Sequence, residues 1–139
     1  MDAEDKLKKR LLDSCKTIAV VGLSGNSRRP SYRIASYLQN HGYRIIPVNP
    51  NVQKVLGEKA YPHLREVPGQ VDLVSVFRRQ GVEEIIQAAD EAGISTVWVQ
   101  PGIECSEQSL KLAVDKQIEL IKDVCIMAEH NYLSRQPMD

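Results

Sequence analysis

A run of small and cationic side chains, Gly22-Leu23-Ser24-Gly25-Asn26-Ser27-Arg28-Arg29-Pro30-Ser31, follows a short apolar stretch. Read as "VVGLSGNSRRPSY", it begins like a dinucleotide-binding turn and then departs from one. The spacing G-x-G-x-x-G would place glycines at 22, 24 and 27, where the chain has Gly22, Ser24 and Ser27. Gly22 and Gly25 permit a tight turn and close approach of backbone to a ligand. Ser24, Ser27 and Ser31 offer hydroxyls suited to phosphate oxygens. Arg28 and Arg29 add full charge in a fork geometry that matches them. A helix opening at Pro30 would contribute unsatisfied N–H groups and a positive dipole end. Strand, small-residue turn and helix thus arrive in the order a phosphate cradle requires. The plainer alternative is an ordinary loop with solvated arginines.

Other candidates follow other apolar runs. After "YRIIPVNP", Asn49 and Pro50 stand where an NAD-binding fold usually carries an acid for the ribose hydroxyls. Their neutrality argues against ordinary NAD and makes a ribose with an extra phosphate easier to accommodate; a plain strand exit explains them equally. After "VDLVSVF", Phe77, the single phenylalanine, stands beside Arg78 and Arg79. Its ring could support a base or line a channel, and the arginines could meet phosphates. Alternatively Phe77 is core and both arginines are solvated. In "VWVQPGIE", Pro101 and Gly102 form a turn that would wall a crevice, and Trp98 reads as core. Cys105 reads as a small buried thiol. Cys125, Glu129 and His130 invite a nucleophile–base reading, but the apolar run around Cys125 favours a structural cysteine. Neither His41 nor His63 joins a metal-ligand set.

These residues need elements to position them. Leu7, Leu11, Leu12 and Cys15 share one helical face, predicting an amphipathic helix over residues 3 to 15. "TIAVVG" is a short β-branched run, a buried strand ending at Gly22. "PSYRIASYLQNHG" reads as a helix with Pro30 in its first turn and Gly42 as its stop. "YRIIPVNP" is a second strand, and residues 51–70 are irregular with a helical turn around "HLREV". "VDLVSVF" is a third strand, "GVEEIIQAADEAG" a helix and "STVWVQPG" a fourth strand. "SEQSLKLAVDKQ" is a helix with Ser106 as N-cap. "IELIKDVCI" supplies a fifth strand, followed by a tail with Glu129 and His130. Such alternation predicts right-handed βαβ units and an α/β, Rossmann-like three-layer sandwich with a mostly parallel five-stranded sheet. Ligands of such sheets bind beyond the carboxyl ends of the strands, near the switch in strand order.

The 139 residues suit one domain, with the N-terminal helix packed on it. Eighteen basic and eighteen acidic side chains give zero formal charge, so no global field recruits nucleic acid or membrane, and any anion site is local. No run approaches the roughly 20 apolar residues of a membrane span. The opening "MDAEDKLKKR" is too charged for a secretory signal. Three dispersed cysteines fit neither a disulfide framework nor a zinc site. A reduced, cytoplasmic protein is expected.

The ordered set "VVGLSGNSRRPSYRIASYL", "GYRIIPVNP", "GEKAYPHL", "VDLVSVFRR" and "VWVQPGI" resembles the small stand-alone CoA-binding proteins of bacteria and archaea. Their fold is similar to the CoA-binding domain of the succinyl-CoA synthetase α subunit. The resemblance implies that the Gly22–Ser31 loop holds the CoA phosphates and that Asn49 and Pro50 lie against the nucleotide. It further implies that Phe77, Arg78 and Arg79 line the groove, with Gly102 and Ile103 at a turn near the pantetheine end. The chain departs at Val124, where the family often has arginine before the cysteine, and at Gln80, where proline frequently follows the two arginines. Coenzyme A carries a 3′-phosphate, a diphosphate and a thiol arm, which suits a loop that trades glycines for serines and arginines. The reading is a module that binds CoA or an acyl-CoA, without evident catalytic residues. Two others stay open: an NAD(P)-binding subunit of an oxidoreductase, and a CoA-sensing module that docks on a partner protein.

Overall fold

Apolar β-branched runs too short for helices become the centre of a parallel sheet. The computed structural model of the protein describes residues 1–137. Strand β1 (Thr17–Val21), buried along its whole length, pairs in parallel with β2 (Arg44–Val48) on one side. On its other side it pairs in parallel with β5 (Leu73–Val76). Strands β6 (Thr96–Val99) and β7 (Glu119–Ile121) extend the sheet to the order β2-β1-β5-β6-β7. All four pairings are parallel, so the sheet is wholly rather than mostly parallel. The chain runs outward from β1 to β2 and then returns to β5 on the far side of β1. The switch point therefore lies between β1 and β5.

Alternate side chains of the strands feed two cores. Ile18, Val20, Ile45, Leu73 and Trp98 pack with α1 (Ala3–Ser14), α2 (Pro30–Asn40) and α5 (Ile126–Leu133). Val21, Val48, Val74, Val76, Val97 and Val99 pack with α3 (Val82–Glu91) and α4 (Glu107–Asp115). Ser106 caps α4, its Oγ accepting from the Ser109 N–H at 3.0 Å. No helix among the described residues is long and apolar enough to cross a membrane.

Two segments differ from the sequence reading. The fifth strand ends at Ile121 instead of continuing through "KDVCI", and the tail is helix α5. Ile126 and Leu133, seven apart, are both buried against the α1 and α2 layer, and the Ile126 N–H donates to the Gln100 Oε1 at 3.2 Å. Cys125 is thus the cap position of a helix, not a strand residue. The irregular stretch also contains a small antiparallel hairpin, β3 (Lys54–Val55) with β4 (Glu58–Lys59), before the expected turn at Leu64–Glu66.

Helix α5 meets α1 through ions and α2 through aromatic rings. The Lys8 ammonium, almost wholly buried, pairs with Glu129 and with Asp5. His130 Nδ1 shares a 2.8 Å hydrogen bond with the Tyr37 hydroxyl, and its ring lies edge-on to Tyr37, His41 and Tyr43. Burial holds the His130 imidazole below its ordinary range, helped by His41 and Lys9 and opposed by Asp13. The unfolded chain therefore binds this proton more readily than the fold does. Its contribution to stability is present above the ordinary value of 6.5 and is lost as pH falls through the lowered one. Urea unfolding at pH 7.5 and pH 5 should show a smaller pH dependence in His130→Gln than in the parent. Identical dependence in the two proteins would remove His130 from the account.

Candidate functional site

The end of β1 is held by backbone rather than side chains. Gly22 has φ +87°, and its N–H donates to the Val48 carbonyl at 2.9 Å. A Cβ at this position would stand 3.1 Å from the Arg78 nitrogen and 3.3 Å from the Phe77 carbonyl carbon. The loops after β1 and β5 therefore touch main chain to main chain, and only glycine fits both the dihedral and the contact. Asn49, at the end of β2, completes the junction. Its Nδ2 donates to the Leu23 carbonyl at 3.0 Å and its Oδ1 accepts from the Asn51 N–H at 2.9 Å.

The loop from Ser24 to Ser31 is braced from within. Ser31 Oγ accepts from the Ser24 N–H, Ser24 Oγ from the Asn26 N–H, and Asn26 Oδ1 from the Arg28 N–H, each at 3.0 Å. These side chains spend their acceptors on loop shape. The helix beyond opens with Arg29 as N-cap and Pro30 in the first turn, with no side-chain cap and no acid. That leaves its positive end without an internal counter-charge. Among the described residues, Arg28, Arg29, Arg78 and Arg79 enter none of the ion pairs.

A cavity of about 730 Å³ opens at the carboxyl ends of β1, β2 and β5, beside the switch point. It brings together Gly22, Asn49, Pro50, Phe77 and Arg78 from the sequence-derived set. Arg79 instead lines a smaller neighbouring cavity of about 310 Å³, which shares Gly81 and Glu84 with the first. Leu23 is buried in the α1, α2 and α5 core, and Gly25, Asn26, Ser27 and Arg28 are exposed outside the cavity wall. Gly102, exposed with φ +86°, and Ile103, half-buried against the α3 side, lie in the turn after β6 and line neither cavity.

Other cavity residues were not singled out from sequence: Pro62–Arg65, Gln80, Glu84, Ile85 and Ala88. A backbone fold-back supplies the first group. Tyr61 bridges in parallel to Val48, with its N–H on the Pro47 carbonyl at 3.0 Å and its carbonyl accepting from the Asn49 N–H at 2.9 Å. This runs the segment along β2 and delivers His63, Leu64 and Arg65 over α3. Arg65 then binds Glu91, Nε to Oε2 at 2.9 Å, at the far end of that helix. The turn at "HLREV" was visible in the sequence; the bridge that aims it was not.

The cysteines stand apart from this site's chemistry. Burial pushes the Cys15 thiol up to about 12, and also raises that of Cys105. His130 Nδ1 is bonded to Tyr37, not to Cys125. Among the described residues, no group of three or more His, Cys, Asp or Glu is placed to hold a metal ion.

Comparison with known proteins places the chain in a family. A family model described as "CoA binding domain" matches residues 16–131. The uncharacterized protein YneT of Bacillus subtilis is 38% identical over 125 residues, covering 88% of this chain and 90% of that one. A solved structure from Thermus thermophilus superposes with a TM-score of 0.87 at 32% identity, covering 96% of this chain and 99% of that one. An ADP-forming acetate–CoA ligase of Archaeoglobus fulgidus is 36% identical over 82 residues, 57% of this chain but only 12% of the ligase. The match of that family model over residues 16–131, well over half of the chain, makes this chain a member of the CoA-binding domain family.

Proposed function

We propose that the protein binds coenzyme A, or an acyl-CoA, as a binding module. The ligand's diphosphate sits at the Gly22–Ser31 loop and the uncapped start of α2, and its nucleoside enters the cavity beyond β1, β2 and β5. The observation that carries this reading is Gly22, where loop and cavity meet and where side-chain bulk is excluded by the Phe77–Arg78 backbone. In this arrangement Leu23 and Asn49 hold the two loops together, Ser24, Asn26 and Ser31 set the loop shape, and Gly25 and Ser27 offer backbone and hydroxyl. Arg28 supplies charge to the diphosphate. Asn49 and Pro50 give the nucleotide a neutral border, while Phe77, Arg78 and Arg79 border the path toward the Gly102–Ile103 turn.

Thermal unfolding with CoA, dephospho-CoA, NAD and NADP tests the reading. A ligand at about 100 times its dissociation constant stabilises by roughly 2.7 kcal/mol, a shift of several degrees for a domain of this size. CoA is expected to give the largest shift, dephospho-CoA a smaller one and NAD none. Arg28→Ala should weaken CoA binding by about 1.5–3 kcal/mol, the range for hydrogen bonds to charged groups. Stabilisation by NAD or NADP alone would replace CoA with a dinucleotide.

A further inference from the structure

One group in the larger cavity is out of place for a polyanionic ligand. Gly81, Glu84, Ile85 and Ala88 follow one another along the cavity-facing side of α3 at helical spacing. Leu64, Ile85 and Ala88, almost wholly buried in one core cluster, show the cavity a small apolar patch. The other polar side chains of the lining, Asn49, Asn51, His63, Arg65, Arg78 and Gln80, can all donate hydrogen bonds. Glu84, when ionised, only accepts.

Its position is defined. Glu84 Oε2 lies 3.4 Å from where a Cβ on Gly81 would stand, with the Arg78 guanidinium carbon 3.9 Å from the same point. Among the described residues, Glu84 enters none of the ion pairs. An acid in a first turn supports its helix, and Glu83 already serves there, its carboxylate accepting from the Ser106 hydroxyl at 3.2 Å. Beside phosphates, a second carboxylate is unfavourable unless it meets a donor. At the nucleotide end of CoA the donors are the exocyclic amine of adenine and the ribose 2′-hydroxyl. That patch offers a flat base an apolar surface, and Glu84 stands on the same cavity-facing side of α3 as Ile85 and Ala88.

We propose that Glu84 accepts a hydrogen bond from the 6-amine of the adenine base, which lies on the apolar patch of Leu64, Ile85 and Ala88, and so selects a 6-aminopurine over a 6-oxopurine. This inference rests on the CoA reading of the site. A carboxylate facing a 6-oxo group leaves two acceptors opposed, which a site built around a donor rejects.

Calorimetric dissociation constants for CoA, for its hypoxanthine counterpart and for 2′-deoxy-CoA, with parent and Glu84→Gln, test it. The parent should prefer CoA over the hypoxanthine form by about tenfold or more. In Glu84→Gln that preference should collapse toward unity, because a carboxamide can either accept from the amine or donate to the oxo group. Circular dichroism without ligand checks that the variant is folded. CoA binding with an unchanged preference in Glu84→Gln overturns the role of Glu84 and leaves the CoA reading standing. A loss with 2′-deoxy-CoA that only Glu84→Gln abolishes would move the contact to the ribose and overturn the base assignment. A parent that binds neither CoA nor its hypoxanthine form overturns both readings.

Discussion

Replacing Trp98 with alanine is expected to lower stability by about 3–5 kcal/mol, the range for deleting a fully buried large aromatic side chain. Trp98 has no exposed surface and stands on β6, beside the edge strand β7, packed into the core shared by α1, α2 and α5. Its indole N–H donates to the Val124 carbonyl at 2.9 Å, in the turn that leads from β7 to α5. The alanine variant would open a cavity and leave that carbonyl without its donor. Trp98→Phe separates the two effects, since it keeps most of the volume and loses only the donor. Urea denaturation should place Trp98→Phe between parent and Trp98→Ala. A cost for the alanine variant below about 1 kcal/mol, the ordinary cost of an average substitution, would mean that the ring is not a keystone of this layer.

Gly22→Ala is the second large effect, expected to cost about 2–4 kcal/mol. The dihedral contributes because an L side chain is strained at φ +87°, and the contact contributes because the new methyl meets backbone at 3.1 and 3.3 Å. Gly42 supplies the control. It has φ +95° with nothing within 4 Å of its would-be Cβ, so Gly42→Ala carries the strain without the clash. The difference in unfolding free energy between the two variants measures the close approach of the β1 and β5 loops. In Gly22→Ala the two loops must separate, so stabilisation by CoA should also shrink, whereas Gly42→Ala should retain it. Equal costs in the two variants would show that the loops do not press on each other at Gly22.

Most of the architecture was legible because it is written in local patterns. Four strands are short β-branched runs that stop at Gly22, Asn49, Phe77 and Gln100, and the helices between them show their apolar faces. Residues at strand ends were legible as candidates for the same reason, since the topology of a parallel sheet gathers them at one edge. What escaped was non-local or too brief. "VCI" is apolar and partly β-branched, and three residues cannot distinguish a period of 2 from one of 3.6, so the start of α5 read as strand. The hairpin of β3 and β4 has two residues per strand, below any pattern. His63 and Arg65 reach the cavity only through the Tyr61–Val48 bridge, and Glu84 faces it only because of how α3 is rotated on the sheet.

The ion pair between Lys8 and Glu129 joins positions 121 residues apart, whereas the sheet grows by crossovers between segments closer in sequence. The meeting of the two terminal helices closes a far longer loop than the β1–β5 pairing of Ile18 with Leu73, and so costs more chain entropy. The α1–α5 seam packs in the layer of Leu12, Ile126 and Leu133, whereas Leu64, Ile85 and Ala88 of the cavity wall pack in the other. The seam and helix α3, which lines the cavity, thus draw on different apolar layers of one sheet.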